Sequence, residues 1–413
     1  MSEDFGGGFD PRMFENVPLF RELAKVMSWA GGPVNWDLAR QTAAAIAGPV
    51  TPAGADRDEA ELVAAVHAAE LWLDQATSLP PVEGPVRVLS RAEWLHAACG
   101  PDGLGVYVEP VAEGMGQALA RQLGGAGMAG LEQLGLGGAG GPLAEAMNAL
   151  GAMLYGVQVG TVAGHLSTQL LGSYDLGVPT LDPRTVGAVG HNAASFAAEY
   201  GFDETEFRYW LALREAAHRR QFAGVGWLRG HVAELIRSFA AAADFDPNRL
   251  MEQLGGMGFD PSDPAAMQAA LERPDAFRVE PTPAQRAVLE RLQALVAFTG
   301  AWVDTVVRVA ADGKLSSLAR IEEVMARRRA EKGPGERFME QLIGLDLKPA
   351  DHRMGQAFCG AVIDARGQEG LDRAWRRPEW LPTHAEIAEP SRWLVRLAGA
   401  ELDVSDTNNS DER

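Results

Sequence analysis

Between residues 203 and 222 the chain places ionisable residues on a helix with little polar surface. Asp203 stands before a charged first turn containing Glu204 and Glu206, and Phe207, Trp210, Leu211, Arg214 and His218 then recur at helical spacing on one face. A second line of Leu213, Ala216 and Ala217 flanks that stripe, so most of the circumference is uncharged and the helix is expected to cross the core. Arg214 thus interrupts an apolar seam as a fixed cation, and leaving such a charge unpaired costs several kcal/mol as an order of magnitude. Whatever fold forms must bring it an acid. Glu215, next in sequence, points about a hundred degrees away around the helix. Asp304, on a later helical stretch marked by Trp302, is the expected partner.

The same residues form a chemical motif. Arg214-Glu215-Ala216-Ala217-His218 fits His-Glu-x-x-His at four of five positions. In that motif two histidines four residues apart share a helical face and bind zinc, while the glutamate activates the metal-bound water as general base. An arginine keeps its proton and repels a metal ion, so only Glu215 and His218 retain those roles as candidates. The alternative for His218 is a hydrogen-bonded core histidine.

Beyond the motif, Gln221-Phe222 and Trp227-Leu228-Arg229 continue a pattern that resembles the zincin-like metallopeptidases of bacteria, some of them labelled hydrolases or deazaflavin-coenzyme biosynthesis-associated proteins. The similarity extends over roughly 34–395. It includes Val34-Asn35-Trp36-Asp37-Leu38 near the start, Leu171-Gly172-Ser173-Tyr174-Asp175 before the motif helix, and Leu342-Ile343-Gly344-Leu345-Asp346 and Trp380-Leu381-Pro382-Thr383 towards the end. The resemblance implies a zincin-like scaffold and a third metal ligand, a glutamate just before a Gly-Trp pair on a later helix. The matching segment is Phe298-Thr299-Gly300-Ala301-Trp302, where the acidic position has become Gly300. Of three expected ligands only His218 remains.

Three functions stay open on these residues. The preferred one is a family member that has lost metal catalysis and holds a peptide or protein segment in the former cleft, with Trp227, Arg229 and His231 as a candidate binding wall and no cofactor. The second is a zinc-dependent hydrolase that completes its site around His218 with other ligands, His191 or His231 among them, and uses Glu215 as general base. The third is a metal-free enzyme pairing Glu215 as base with Arg214 as anion holder.

Composition narrows the setting. A net charge of −19 argues against nucleic acid or an anionic membrane as principal partner. The run Arg327-Arg328-Arg329 lacks interleaved aromatics and reads as a solvated helix end. Two widely separated cysteines, Cys99 and Cys359, fit a reducing cytoplasm, and no secretory signal is visible at the start. The stretch 146–174 contains no Asp, Glu, Lys or Arg and could span a bilayer by length. Its Gly156, Gly160 and Gly164, interrupted by Asn148, Gln158 and His165, instead suggest a buried helix that another backbone approaches closely.

The expected fold is mainly α with a small β component. Short strands are expected at 86–89 and 186–189, with helices from Asn35, over 58–76, 230–243, 283–310 and 318–329. Residues 1–33 read as a poorly ordered N-terminal segment, 34–395 as one domain or two closely packed subdomains, 124–141 as a glycine-rich loop or lid, and 396–413 as an acidic tail. No phosphate loop or dinucleotide fingerprint is present.

Overall fold

Three glycines spaced by four residues let two helices approach closely. In the computed structural model, which describes residues 31–48, 56–126, 142–243 and 281–399, the first helix is α1 (Trp36–Ala47). It lies against a later helix, Pro142–Ser167. A Cβ added at Gly156, Gly160 or Gly164 would come within 2.6 Å of the Asn35 carbonyl, 2.4 Å of the Ala39 carbonyl and 2.8 Å of Ile46. The stretch read as long enough to span a bilayer is thus occupied by backbone contact with α1. Asn35 starts α1 as expected, its Oδ1 accepting from the Leu38 N–H at 3.0 Å.

In chain order the remaining elements are α2 (Asp56–Leu73), β1 (Val86–Leu89), α3 (Arg91–Ala98), α4 (Gly105–Ala126), the helix just described as α5, β2 (Val186–Val189), α6 (Gly190–Tyr200), α7 (Glu204–Phe222) and α8 (Leu228–Ala241). There follow α9 (Pro283–Ala311), α10 (Leu318–Ala330), α11 (Pro334–Ile343), α12 (Pro349–Asp372), two short 3-10 turns, α13 (His384–Ala388) and a helical segment over 390–399. The N-terminal residues 1–30, the glycine-rich stretch from 127, the prolines at 261, 264 and 274, and the tail from 400 lie outside the described residues.

Both expected strands form, and they pair in parallel from Val86 opposite Val186 to Leu89 opposite Val189. Parallel pairing needs a crossover, supplied here by α3 to α5. On the other side of β2 runs the extended segment 171–174, held by Val189 N–H to Leu171 O at 2.9 Å and Ser173 N–H to Gly187 O at 3.0 Å. This small β unit, buried along β2, matters because α7 packs directly upon it.

α7 is buried along nearly its whole length, and its Asp203 cap accepts from the Glu206 N–H at 2.9 Å. It packs against α2 and α9. The α2 contact is fixed by charge. Arg220, fully buried, reaches Glu70 and Asp74, each at 2.6 Å, and the Leu79 and Glu70 carbonyls at 2.9 and 2.8 Å. Arg219 adds a second contact to Glu70 at 2.6 Å. Every guanidinium edge of Arg220 therefore has a partner, which is what a buried arginine requires.

α9 begins with a reciprocal cap between Thr282 and Gln285 and a proline at its first position. It is the described helix long and apolar enough to cross a membrane, yet 67% of its apolar window is buried inside the fold, against α7, α8 and α12. α12 bends at Gly367, whose φ of 70° favours glycine.

The arginine run corrects the expectation of a solvated helix end. Only Arg327 behaves that way, pairing with Glu323 one turn back. Arg328 turns inward to the Gln169 carbonyl and to Asp175, and Arg329 reaches Asp304 at 3.0 Å. Acids distant in sequence draw these two arginines off the surface.

Replacing Gly160 with Val would drive a branched side chain into the Ala39 carbonyl. The expected loss is about 1–3 kcal/mol of unfolding free energy, measurable by urea denaturation, against little change for Gly151→Val, where a Cβ meets nothing within 4 Å.

Candidate functional site

Helical spacing sets two pairs of positions on two helices that pack together. On α7, Arg214 and His218 are one turn apart; on α9, Gly300 and Asp304 are likewise one turn apart. Asp304 is the partner that Arg214 needs. Arg214 Nη1 lies 3.7 Å from Asp304 Oδ1, and its guanidinium also sits 5.9 Å from the centre of the Trp210 ring. The expected ion pair therefore forms between α7 and α9.

Asp304 serves more than Arg214. Its Oδ2 accepts from Arg329 of α10 at 3.0 Å, from Gln356 of α12 at 3.3 Å, and contacts His352 Nε2 at 2.8 Å. Burial would raise this carboxyl, but Arg329, His352 and Arg214 together hold it well below the ordinary carboxylate range. It is an anion at all physiological pH. Four helices thus converge on one carboxylate.

Gly300 faces His352. A Cβ built on Gly300 would lie 3.6 Å from the imidazole, so the position where the resemblance implies a third ligand opens onto a ring already engaged with Asp304. His218, one turn along α7, is fully buried and stacks on Tyr174 with centroids 5.2 Å apart and planes 7° from parallel. Neither of its ring nitrogens has a hydrogen-bond partner; Gln221 stands close enough to influence the ring but outside hydrogen-bond geometry. Burial first, and the Arg214 charge second, push the imidazole down to about 3, so it is neutral.

Glu215 points elsewhere. It is completely buried against the segment 171–174, where Oε2 accepts from the Ser173 N–H at 3.0 Å and the Ser173 hydroxyl at 2.5 Å, and Oε1 from the Tyr174 N–H at 3.2 Å. Gly172 is required for this clasp, because a Cβ there would lie 2.3 Å from Glu215 Oε1. Desolvation raises the carboxyl to about 7 despite the Ser173 hydrogen bond, with Asp175 adding to the rise.

A structural or catalytic zinc needs three or four nitrogen, oxygen or sulfur donors. The residues here do not fit one. Arg214 brings a positive charge to one ligand position, Gly300 brings no donor to another, and among the described residues no three His, Cys, Asp or Glu side chains are grouped to hold a metal ion. His191 opens α6, and His231 sits edge-on to Trp227 with Arg291 and Glu379 as its charged neighbours. Neither has a contact with His218.

The expected wall of Trp227, Arg229 and His231 holds only in part. Trp227 lines an open cleft of about 600 Å³, together with Ser78, Leu79, Gly226, Trp375 and Arg376 among others. Arg229 turns away to donate to the Asp102 carbonyl beside α4, and His231 packs behind Trp227 without lining the cleft. Sequence reasoning missed Arg329, His352 and the Ser173–Tyr174 donors. The last two lie in a segment marked as similar to the family, which was the available signal; nothing local distinguishes His352.

The comparisons agree with this scaffold. A family model described as zincin-like metallopeptidase matches residues 34–394. A crystal structure from Chloroflexus aurantiacus, titled a "putative hydrolase with a novel fold", is 25% identical, covers 88% of this chain and 99% of its own, and superposes with a TM-score of 0.62. No curated protein matches the chain.

The raised Glu215 carboxyl makes stability depend on pH. Because the folded state holds that proton more tightly than the unfolded chain, the contribution is fully present below 4.5 and is lost as pH rises through about 7. His218, depressed to about 3, acts oppositely between about 3 and 6.5, so the raw curve mixes both. Glu215→Gln keeps the neutral shape. Its stability relative to the native chain should shift in its favour by roughly 3 kcal/mol from below pH 4.5 to above pH 7, read by urea denaturation. A constant difference would mean that folding leaves the proton affinity of Glu215 unchanged.

Proposed function

The chain belongs to the zincin-like metallopeptidase family, and within it we propose a member that binds a peptide or protein segment without metal catalysis. The observation that carries this reading is the Arg214–Asp304 pair at 3.7 Å, a fixed positive charge on the helix face where the family motif would present a ligand. Gly300, which brings no donor of its own, supports the same conclusion. The scaffold persists while its donor set has been replaced by an internal ion pair. The cleft beside Trp227 is the natural place for a segment of another chain, since aromatic walls and guanidinium groups suit both side chains and carboxyl groups.

A hydrolase reading has one specific support, the Glu215 carboxyl at about 7, in the range of a general base at neutral pH. Against it, both oxygens of Glu215 are engaged by the 173–174 segment. Fold similarity to a protein titled a hydrolase does not carry activity by itself. The proposal includes a cytoplasmic setting, with Cys99 and Cys359 as buried free thiols whose burial pushes each up to about 12.

Elemental mass spectrometry of the purified native chain separates the readings. No stoichiometric zinc is expected in the native protein or in His218→Ala; zinc present in the native protein and absent from the variant would favour the hydrolase. The double substitution Arg214→His with Gly300→Glu should create zinc binding that His218→Ala removes. Failure to gain any metal would count against equating these positions with the ligand positions of the motif.

A further inference from the structure

The described residues end beside the cleft that Trp227 lines. The helical segment over 390–399 packs on α12, with Trp393 edge-on to Phe358. Its Leu394, Leu397 and Ala398 border a small hollow together with Arg366, Gly370 and Arg373. Arg373 also lines the cleft of about 600 Å³, so a single residue separates the end of that segment from the cleft.

The ground between the two is basic. Over 366–377 the chain carries Arg366, Arg373, Arg376 and Arg377 against Glu369 and Asp372, in a protein whose net charge is −19. Asp372 is buried, and its oxygens accept from Thr77 Oγ1, Ser78 N–H, Ser78 Oγ, Trp302 Nε1 and Gln368 Nε2 at 2.7–2.9 Å. Its capacity is spent. Arg373 is itself engaged. Arg366 and Arg376 are exposed, and among the described residues neither has an acidic partner or a hydrogen bond; Arg377 lies over the Trp380 ring. The apolar surface of the cleft comes from half-buried Trp227 and Leu79 and from Val225.

Residues 400–413, which follow directly, carry Glu401, Asp403, Asp406, Asp411 and Glu412 against one base, Arg413. Acid and apolar side chains alternate at the start of this stretch, Glu401-Leu402-Asp403-Val404. In extended backbone successive side chains point to opposite sides, so such a stretch offers Leu402 and Val404 to one wall and Glu401 and Asp403 to the other. We infer that residues 401–406 fold back into the cleft of their own chain, with Leu402 and Val404 against Trp227 and the acids paired with Arg366 and Arg376. Val404 lies five residues beyond Gly399, a reach of up to about 17 Å. Exposed ion pairs are individually weak, but the tether presents the acids at an effective concentration on the order of millimolar. The rest of this acidic surface repels them and leaves the arginines as their ground. The inference goes beyond the peptide-binding reading and does not need it; a foreign segment that used the cleft would have to displace the tail.

The test places a photo-crosslinking phenylalanine analogue at position 405 of the full chain and maps the adducts by mass spectrometry after irradiation at low protein concentration. Most adducts are expected within one chain, on the peptides that carry Gly224 to Trp227 or Glu369 to Arg376. Neutralising the acids with Glu401→Gln, Asp403→Asn and Asp406→Asn should lower that yield about fivefold. Arg366→Gln combined with Arg376→Gln should do the same without a change in Tm, because both side chains are exposed. Raising the salt from about 0.05 M to about 0.5 M should have a similar effect. Adducts that join two chains, scatter over the surface or fail to form would overturn the inference. So would cleft adducts that neither neutralisation nor salt reduces. No foreign peptide enters the experiment, so its failure would leave the peptide-binding reading standing.

Discussion

A buried helix that carries charge can exist only inside a structure that answers each charge. α7 is that helix. Its Arg214 meets Asp304, its Glu215 meets the Ser173 and Tyr174 donors, and its Arg219 and Arg220 meet Glu70 and Asp74. Each answer comes from a different element, so α2, the 171–174 segment beside β2, and α9 are all positioned by contacts to one helix. Removing one partner of such a pair is far more damaging than the pair is stabilising, since the remaining charge stays buried. This asymmetry ties the packing of the whole molecule to the residues of the motif.

On the proposed reading, the same electrostatics explains how the motif can lose a metal without losing the fold. A divalent cation would hold nearby anions in place; here Arg214 and Arg329 do so for Asp304, while His352 and Gln356 complete its hydrogen bonding. Glu215 does not depend on that cation, because backbone and hydroxyl donors satisfy it on the opposite side of α7. His218 is what remains without an answer: neutral, stacked on Tyr174, with both nitrogens unpartnered. On the proposed reading it keeps the place of a ligand in a site whose charge balance no longer calls for one.

What could be read from sequence follows from how local each cause is. The caps at Asn35 and Asp203, the two short strands and the glycine face of α5 rest on neighbouring residues and were legible. Asp304 was legible as well, because an arginine in the apolar seam of a helix demands an acid and the α9 sequence offers Asp304 close to Trp302. The fate of the arginine run was not, since Arg328 and Arg329 find their acids 153 and 25 residues away, information that a run of like charges does not contain. His352 and the Glu215 clasp were hidden for a similar reason: one is a lone histidine brought in by α12, and the other uses backbone N–H groups that every residue type possesses.

The central claim is that the Arg214–Asp304 pair is a specific coupling that replaces the metal, and a double-mutant cycle with Arg214→Met and Asp304→Asn measures it most directly. Unfolding free energies of the native chain, the two single variants and the double variant should give a coupling of about 1.5 kcal/mol or more, with each single change more harmful than its share of the double. Additive effects with no coupling would contradict the account, for they would mean that Arg214 and Asp304 are stabilised independently and that nothing stands in for the lost ion.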